Sequence, residues 1–424
     1  MIETGPKRKQ ERALLIGLEK NGVSKWDLRD SLEELRELAN SAGAVVVDTI
    51  TQKLQKPTAP FYIGKGKAEA IRDSVQEQQV TSVIFDDELS PAQGRNLEKL
   101  FARKVLDRTQ LILDIFAQRA RSREGRLQIE LAQLQYLLPR LTRMWDHLSR
   151  QTGGIGTRGP GETQLEVDRR RVQERIARLE RELETVRRTR GVQRQGRRRN
   201  QWPVASVIGY TNAGKSTLLN LLTGADVVAE DKLFATLDPT TRSFTLPNKQ
   251  RMLLTDTVGF LRKLPHTLIE SFKATLEEVT EADLLLHIVD LSHPRADENI
   301  EAVDRVTKEL GAFGKQTVMV FNKIDKLENP EVTLSYLKRF PGSVAISART
   351  GEGVSDLVRA LQDALASWRL RSRFRIPTHE SALLAEIHRV GHVLDLQYEG
   401  DDAVVSAHVP PQLEQRLSSF ALEQ

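Results

Sequence analysis

A chain of 424 residues exceeds what one ordinary hydrophobic core organises, so two to four domains are expected, and an apolar share of 39% suffices to build them. The absence of cysteine and of an apolar run after Met1 argues against a disulfide-stapled secreted fold and a cleaved signal. No stretch approaches the roughly 20 apolar residues of a membrane-spanning helix, so a cytoplasmic protein is the expectation and any membrane association would be peripheral.

Residues 1–107 alternate short β-branched runs with amphipathic stretches, the pattern of βαβ units around a small, mostly parallel sheet. Ala44–Ile50 and Ser82–Asp86 read as strands. Phe61-Tyr62-Ile63 leads through Gly64-Lys65-Gly66-Lys67 into a helix over Ala68–Gln78. Such a Gly/Lys-rich strand-to-helix turn suits phosphate binding at a helix N-terminus, or serves as a tight turn with solvated lysines; it lacks the Walker spacing.

Residues 108–200 read as long helix. Leu127, Leu131, Leu134, Leu138, Leu141, Trp145 and Leu148 step by fours and threes, and Leu165, Val172, Ile176, Leu179, Leu183 and Val186 keep a similar seam. Two helices are implied, forming an antiparallel hairpin kinked near Pro139. The segment Gly153-Gly154-Ile155-Gly156-Thr157-Arg158-Gly159-Pro160-Gly161 forms its tip. This tip is either a floppy loop or bare backbone able to approach RNA closely, with Gly154 and Arg158 as candidate contacts. Beyond the second helix, Arg187, Arg188, Arg190, Arg194, Arg197, Arg198 and Arg199 stand without an Asp or Glu among them. As a linker they would be solvated. As a polyanion contact, led by Arg187, Arg188, Arg197, Arg198 and Arg199, they would neutralise phosphates.

Residues 201–370 carry the chemistry. Val204–Ile208 is a β-branched run ending in Gly209-Tyr210-Thr211-Asn212-Ala213-Gly214-Lys215-Ser216, with Thr217 opening a helix: G-x-x-x-x-G-K-S in its required strand-loop-helix context. The glycines let backbone amides wrap phosphates, Lys215 neutralises the β and γ oxygens, and Ser216 ligates Mg²⁺. Met252-Leu253-Leu254 leads to Asp256-Thr257-Val258-Gly259, in which Asp256 holds Mg²⁺ through water and the Gly259 amide senses the γ-phosphate. Between these motifs, Phe234-Ala235-Thr236-Leu237-Asp238-Pro239-Thr240-Thr241 offers the threonine of switch I. We take Thr236, with Thr240 and Thr241 as alternatives.

Further strands over Leu284–Val289 and Val318–Phe321 precede Asn322-Lys323-Ile324-Asp325. A carboxylate at Asp325 accepts from both N1–H and the exocyclic amine of guanine, a donor pair adenine lacks, which selects GTP over ATP. After Val344-Ala345-Ile346, Ser347-Ala348-Arg349 suits placement of a backbone amide on guanine O6. Lys215, Thr236 and Gly259 are the expected catalytic groups. Residues 371–424 read as strand, helix, two strands and helix, a small α+β domain without a catalytic constellation.

The expected fold class is α/β and multidomain: a P-loop G domain, an N-terminal α/β unit with a long helical hairpin, and a small C-terminal α+β domain. These motifs, with the hairpin and its glycine-rich tip, resemble the HflX family of translation-factor-class GTPases across nearly the whole chain. The resemblance implies a GTP hydrolase that binds the large ribosomal subunit and its rRNA, splits stalled or idle ribosomes, and reaches toward the peptidyl transferase region with the hairpin tip. Asn212 resembles the asparagine that binds K⁺ in some related GTPases, adding K⁺ to Mg²⁺ among the expected cofactors. One departure from Ras-like G domains is Phe260, which follows Gly259 where a glutamine would orient the attacking water. Slow intrinsic hydrolysis is therefore expected, with a partner completing the site. The alternative is a GTPase switch acting on a protein or an anionic membrane, with the basic segment as electrostatic anchor.

Overall fold

The computed structural model describes residues 11–22, 24–141, 164–199, 202–224, 233–234, 236–248, 250–263, 276–366, 370–409 and 411–422. They divide into two compact units, one running to Thr185 and including Leu233 and Phe234, the other holding the remainder from Val186.

The first unit is built on four parallel strands in the order β2-β1-β3-β4: β1 (Arg12–Glu19), β2 (Val45–Lys53), β3 (Ser82–Phe85) and β4 (Lys104–Asp107). Strand β1 reads ALLIGL through its buried middle, the unbroken apolar run expected of a strand covered on both faces. Helices α1 (Lys25–Ser41), α2 (Lys65–Glu77) and α3 (Pro91–Phe101) make the crossovers. α1 and α3 open with capping boxes, Ser24 with Asp27 and Ser90 with Gln93, which satisfy amide donors left free at a helix start. At the end of β4, the Arg108 guanidinium is buried between Asp86 (2.8 Å) and Glu34 (2.7 Å) and donates to the Ser31 carbonyl, joining α1 to the ends of β3 and β4. Phe61-Tyr62-Ile63 is not a strand. Tyr62 has φ +66° and donates its hydroxyl to Asp87, so the approach to Gly64-Lys65-Gly66-Lys67 is a loop.

The expected long helix is interrupted. α4 (Arg108–Arg119) ends where Ala120 turns extended, and α5 (Arg123–Leu141) restarts after Ser122, whose hydroxyl accepts from the Gly125 amide. α5 runs through Pro139. Its Leu127 and Leu131 are buried, as are Leu179 and Leu183 of α6 (Gln164–Arg199), and Arg175 of α6 grips Glu130 of α5 through two bonds of 2.7 and 2.9 Å. The arginine run, read above as a linker, is helical: α6 continues to Arg199. Arginine is a good helix former, so the run can continue the helix. Trp145, Leu148 and the tip, with Gly154 and Arg158, lie outside the described residues.

In the second unit the main sheet runs β10-β9-β8-β5-β7-β6. Its strands are β5 (Val204–Gly209), β6 (Thr240–Thr245), β7 (Arg251–Asp256), β8 (Leu284–Asp290), β9 (Thr317–Asn322) and β10 (Val344–Ala345). All pair in parallel except edge strand β6, which runs antiparallel to β7. Helices α7 (Lys215–Thr223), α8 (Ala296–Glu309), α9 (Pro330–Arg339) and α10 (Val354–Ala366) belong to the same layered arrangement. One core includes Val207, Leu218, Leu254, Leu286, Val320 and Leu361. The last residues form an antiparallel sheet, β12-β13-β11-β14, from β11 (Leu370–Pro377), β12 (His392–Glu399), β13 (Asp402–Val409) and β14 (Ala421–Leu422), with α11 (Ser381–Val390) and α12 (Pro411–Arg416). Among the described residues no helix is long and apolar enough to cross a membrane.

Candidate nucleotide site

The site lies at the carboxyl ends of the parallel strands, where an open α/β sheet presents loops and helix N-termini on one edge. β5 ends at Gly209, whose φ of +150° and approach to the Ile288 carbonyl, 2.3 Å from where a Cβ would stand, admit only glycine. The loop then turns through Asn212 (φ +59°) and Gly214 (φ +96°) into α7, whose first residues are Lys215, Ser216 and Thr217. A Cβ on Gly214 would stand 2.2 Å from Asn322 Nδ2. That closeness has a purpose: Asn322 donates to the Ala213 carbonyl (2.8 Å) and accepts from the Ala348 amide (2.9 Å), fastening three loops to one side chain.

Lys215 is buried. Its ammonium donates to the Tyr210 carbonyl (2.7 Å) and the Gly209 carbonyl (3.2 Å). Burial depresses its pKa to about 8, against the opposing pull of the Asp256 carboxylate. Asp256 ends β7, and its Oδ2 accepts from the hydroxyls of Ser216 (2.7 Å) and Thr236 (2.9 Å), which also lie 2.9 Å from each other. Its Oδ1 is buried without a hydrogen-bond partner, and burial holds the carboxyl above its ordinary range. Of the three candidate threonines, Thr236 therefore stands with Ser216 and Asp256. Thr240 and Thr241 lie on β6, where Thr240 donates to the Asp238 carbonyl (3.5 Å) and Thr241 pairs with Thr255 (3.0 Å).

After Asp256, Thr257 donates its hydroxyl to the Val207 carbonyl (2.7 Å), Val258 is buried, and Gly259 packs against Thr211 and Lys215. The following segment is bonded to the phosphate loop: Phe260 donates to the Gly209 carbonyl (3.1 Å), Thr211 donates to the Phe260 carbonyl (2.8 Å), and the Arg262 amide donates to the Tyr210 hydroxyl (2.8 Å). The Phe260 ring is fully buried. Phe234 belongs to the first unit, where its ring meets Phe116 edge to face; Leu237 is buried and Asp238 half-buried.

Beyond β9, Asp325, the candidate guanine-reading carboxylate, is exposed and accepts from the Ser347 hydroxyl (2.7 Å), which itself accepts from the Thr350 amide (3.1 Å). Ile324 and Asp325 begin a short 3₁₀ turn, and Arg349 is exposed. Lys323 adopts φ +65°, and its ammonium pairs with Asp290 at 2.7 Å. Asp290 escaped sequence reasoning. The available signal was its place at the end of β8, in register with Asn322 on β9. Arg188 is exposed; Arg187, Arg197, Arg198 and Arg199 are described as helix backbone only. Among the described residues no cluster of three or more His, Cys, Asp or Glu could hold a metal ion.

Three family profiles match the chain: "GTP-binding GTPase N-terminal" over residues 29–117, "GTP-binding GTPase Middle Region" over 119–197 and "50S ribosome-binding GTPase" over 204–323. A protein of Lacrimispora saccharolytica called GTPase HflX is 48% identical over 404 residues, covering 95% of each chain. GTPase HflX of Escherichia coli K12 is 46% identical over 384 residues, covering 90% of each. Among solved structures, a GTP-binding protein of Sulfolobus solfataricus in complex with GDP is 24% identical, with a TM-score of 0.45 over 84% of this chain and 98% of that one. With near-full-length identity of this order and an ordered set of nucleotide motifs on a parallel sheet, the chain is a GTP hydrolase and belongs to the HflX family.

Proposed function

We propose that this GTPase works on the large ribosomal subunit, hydrolysing GTP in the presence of Mg²⁺ as it splits or recycles stalled and idle ribosomes in the cytoplasm. The observation that carries the ribosomal part is the match of residues 204–323 to a family described as 50S ribosome-binding GTPases. The arginine run on α6 supports it, since Arg187, Arg188, Arg197, Arg198 and Arg199 add charge suited to rRNA phosphates, as does Arg158 in the glycine-rich segment, where Gly154 would offer bare backbone for close approach.

The donor set fits Mg²⁺: two hydroxyls, of Ser216 and Thr236, meet one oxygen of Asp256 while its other oxygen is buried and unpaired. Ser216 and Thr236 would be direct ligands and Asp256 would hold the ion through water. When bound, the ion would supply neutralisation of phosphate charge. The chain's own part is binding and orientation. Lys215, already stripped of water, offers its ammonium to the phosphate oxygens, the Gly259 amide reads the γ-phosphate, and Asp325 with the Ser347–Arg349 loop reads guanine. Asn212 is assigned K⁺, and equal turnover in K⁺ and Na⁺ would remove that assignment.

Phe260 offers no polar atom to a water molecule, so turnover by the isolated chain is slow and the ribosome completes the site. Groups supplied in trans to such sites are worth about 10³- to 10⁵-fold. The test is GTP turnover with and without purified large subunits, with Lys215→Ala as the inactive control. Stimulation of at least about tenfold, equal to about 1.4 kcal/mol in the barrier, is expected. Turnover that ignores the subunit, in a protein that also fails to bind it, would defeat the proposal.

A further inference from the structure

The loop over residues 209–216 contains a hydroxyl that nothing among the described residues employs. Thr211 is 6% exposed, and its Oγ1 is buried without a hydrogen-bond partner. Buried hydroxyls are rarely left unpaired, because the group gives up water and receives nothing in return. Its neighbours show what surrounds it. From the point where a Cβ on Gly259 would stand, Thr211 Cγ2 lies at 2.7 Å, Thr211 Cα at 2.8 Å and Lys215 Nζ at 3.1 Å. Thr211 is also fixed from the other side, donating its amide to the carbonyl of Phe260 at 2.8 Å. One corner thus holds the Lys215 ammonium, Gly259, and Thr211, which turns its methyl toward Gly259 and carries a buried, unpaired hydroxyl. Phe260, bonded to this loop through its backbone, has a buried apolar ring and no polar side chain that would hold water.

We infer that Thr211 Oγ1 is the group within this chain that orients the attacking water on the γ-phosphate, a catalytic residue doing in part what Phe260 cannot. The hydroxyl has the capacity for two simultaneous bonds, accepting one from the water and donating one to a γ-phosphoryl oxygen. In the step, the water oxygen bonds to the γ-phosphorus as the bond from phosphorus to the β–γ bridging oxygen breaks and GDP leaves. The water's proton passes to a γ-phosphoryl oxygen, and Thr211 ends unchanged. A single neutral hydroxyl is a weak orienter, in keeping with slow turnover that a partner accelerates. The inference thus rests on the proposed reaction and deepens it.

The experiment compares Thr211→Val, Thr211→Ala and Thr211→Ser in the full chain, with and without large subunits. It measures single-turnover hydrolysis, GDP affinity, affinity for GDP with aluminium fluoride as a mimic of the transferring phosphoryl group, and melting temperature. Loss of the hydroxyl is expected to slow hydrolysis about tenfold or more and to weaken the aluminium fluoride complex in step, which corresponds to about 1.4 kcal/mol. GDP affinity stays within about twofold and the melting temperature does not fall, because the hydroxyl has no structural partner to lose. Serine restores most of the rate. Hydrolysis by the valine and alanine variants at the wild-type rate would overturn the inference while leaving the reaction intact, and so would GDP affinity falling as far as the rate. A wild-type protein inert with and without the subunit would instead overturn the proposed function, and this inference with it.

Discussion

Lys215 shows how a residue proposed to bind phosphate is kept at a cost to stability. Buried with its pKa near 8, it is held in its charged form by two carbonyl oxygens that have other donors available, the Phe260 amide for Gly209 and the Ala213 amide for Tyr210. Replacing it with an uncharged chain of similar length removes the desolvation penalty and leaves both carbonyls bonded. Lys215→Met is therefore expected to raise the stability of nucleotide-free protein by about 3 kcal/mol, the scale of the pKa depression, while abolishing the thermal shift on adding GTP. Calorimetry with and without nucleotide checks both halves. Asp290 has the opposite character. It holds Lys323, a side chain in a left-handed backbone conformation, by an ion pair of 2.7 Å, and so helps to set the base-recognition loop.

Among the elements, the pairing of α5 with α6 separates two kinds of contact. Arg175 and Glu130 make a well-formed two-bond pair, yet both side chains are about 40% exposed, a setting in which such pairs return little. Leu179, on the same helix, is completely buried. A double-mutant cycle on Arg175 and Glu130 is expected to give a coupling below about 1 kcal/mol. Leu179→Ala is expected to cost about 2–4 kcal/mol in urea unfolding. A larger loss from the ion pair than from the leucine would show that charge rather than packing joins the helices. At this scale the heptad seam was legible in the sequence, because the steps of four and three are a local property of each helix. The break at Ala120 was not, since no Pro or Gly marks it. Strand β6 was missed for a related reason: Thr240–Thr245 is a half-exposed edge strand with no apolar alternation to announce it.

For the whole molecule, pH acts through His287. This residue of β8 is fully buried, and burial, aided by the Lys215 charge, holds its pKa down to about 3; Asp304 lies 3.9 Å from its Nδ1. A depressed histidine contributes stability above its unfolded value of about 6.5 and loses it as pH falls from there toward 3, because the unfolded chain takes up the proton first. From pH 7 to 5 the expected loss is about 2 kcal/mol. Asp256, held above its ordinary range, works in the opposite direction, so the clean readout is the difference in pH dependence between the wild type and His287→Gln. Equal slopes for the two would show that His287 charges freely in the fold. Charge also governs the proposed encounter with the ribosome. Reversing Arg187, Arg188, Arg197, Arg198 and Arg199 to glutamate is expected to weaken large-subunit binding and flatten its dependence on salt, since every phosphate that is no longer neutralised lowers the slope by about one unit.

The sequence by itself determined that the chain is a GTP hydrolase with ordered nucleotide motifs, because each motif is specified within a few neighbouring residues at the end of a strand. It also determined that the chain has several domains and a long two-helix segment. Only the tertiary structure decided which threonine stands with Ser216 and Asp256, that Asn322 binds together loops 109 and 26 residues away, that Asp290 holds Lys323, and that the Thr211 hydroxyl is buried without a partner. Strands β1 and β4 likewise became evident only in the sheet, where parallel neighbours bury short apolar runs that by themselves suit helix or strand equally. The division follows from range: backbone preference and motif spacing act between near neighbours, whereas burial, orphaned polar atoms and ion pairs exist only once distant segments have been brought within a few ångströms.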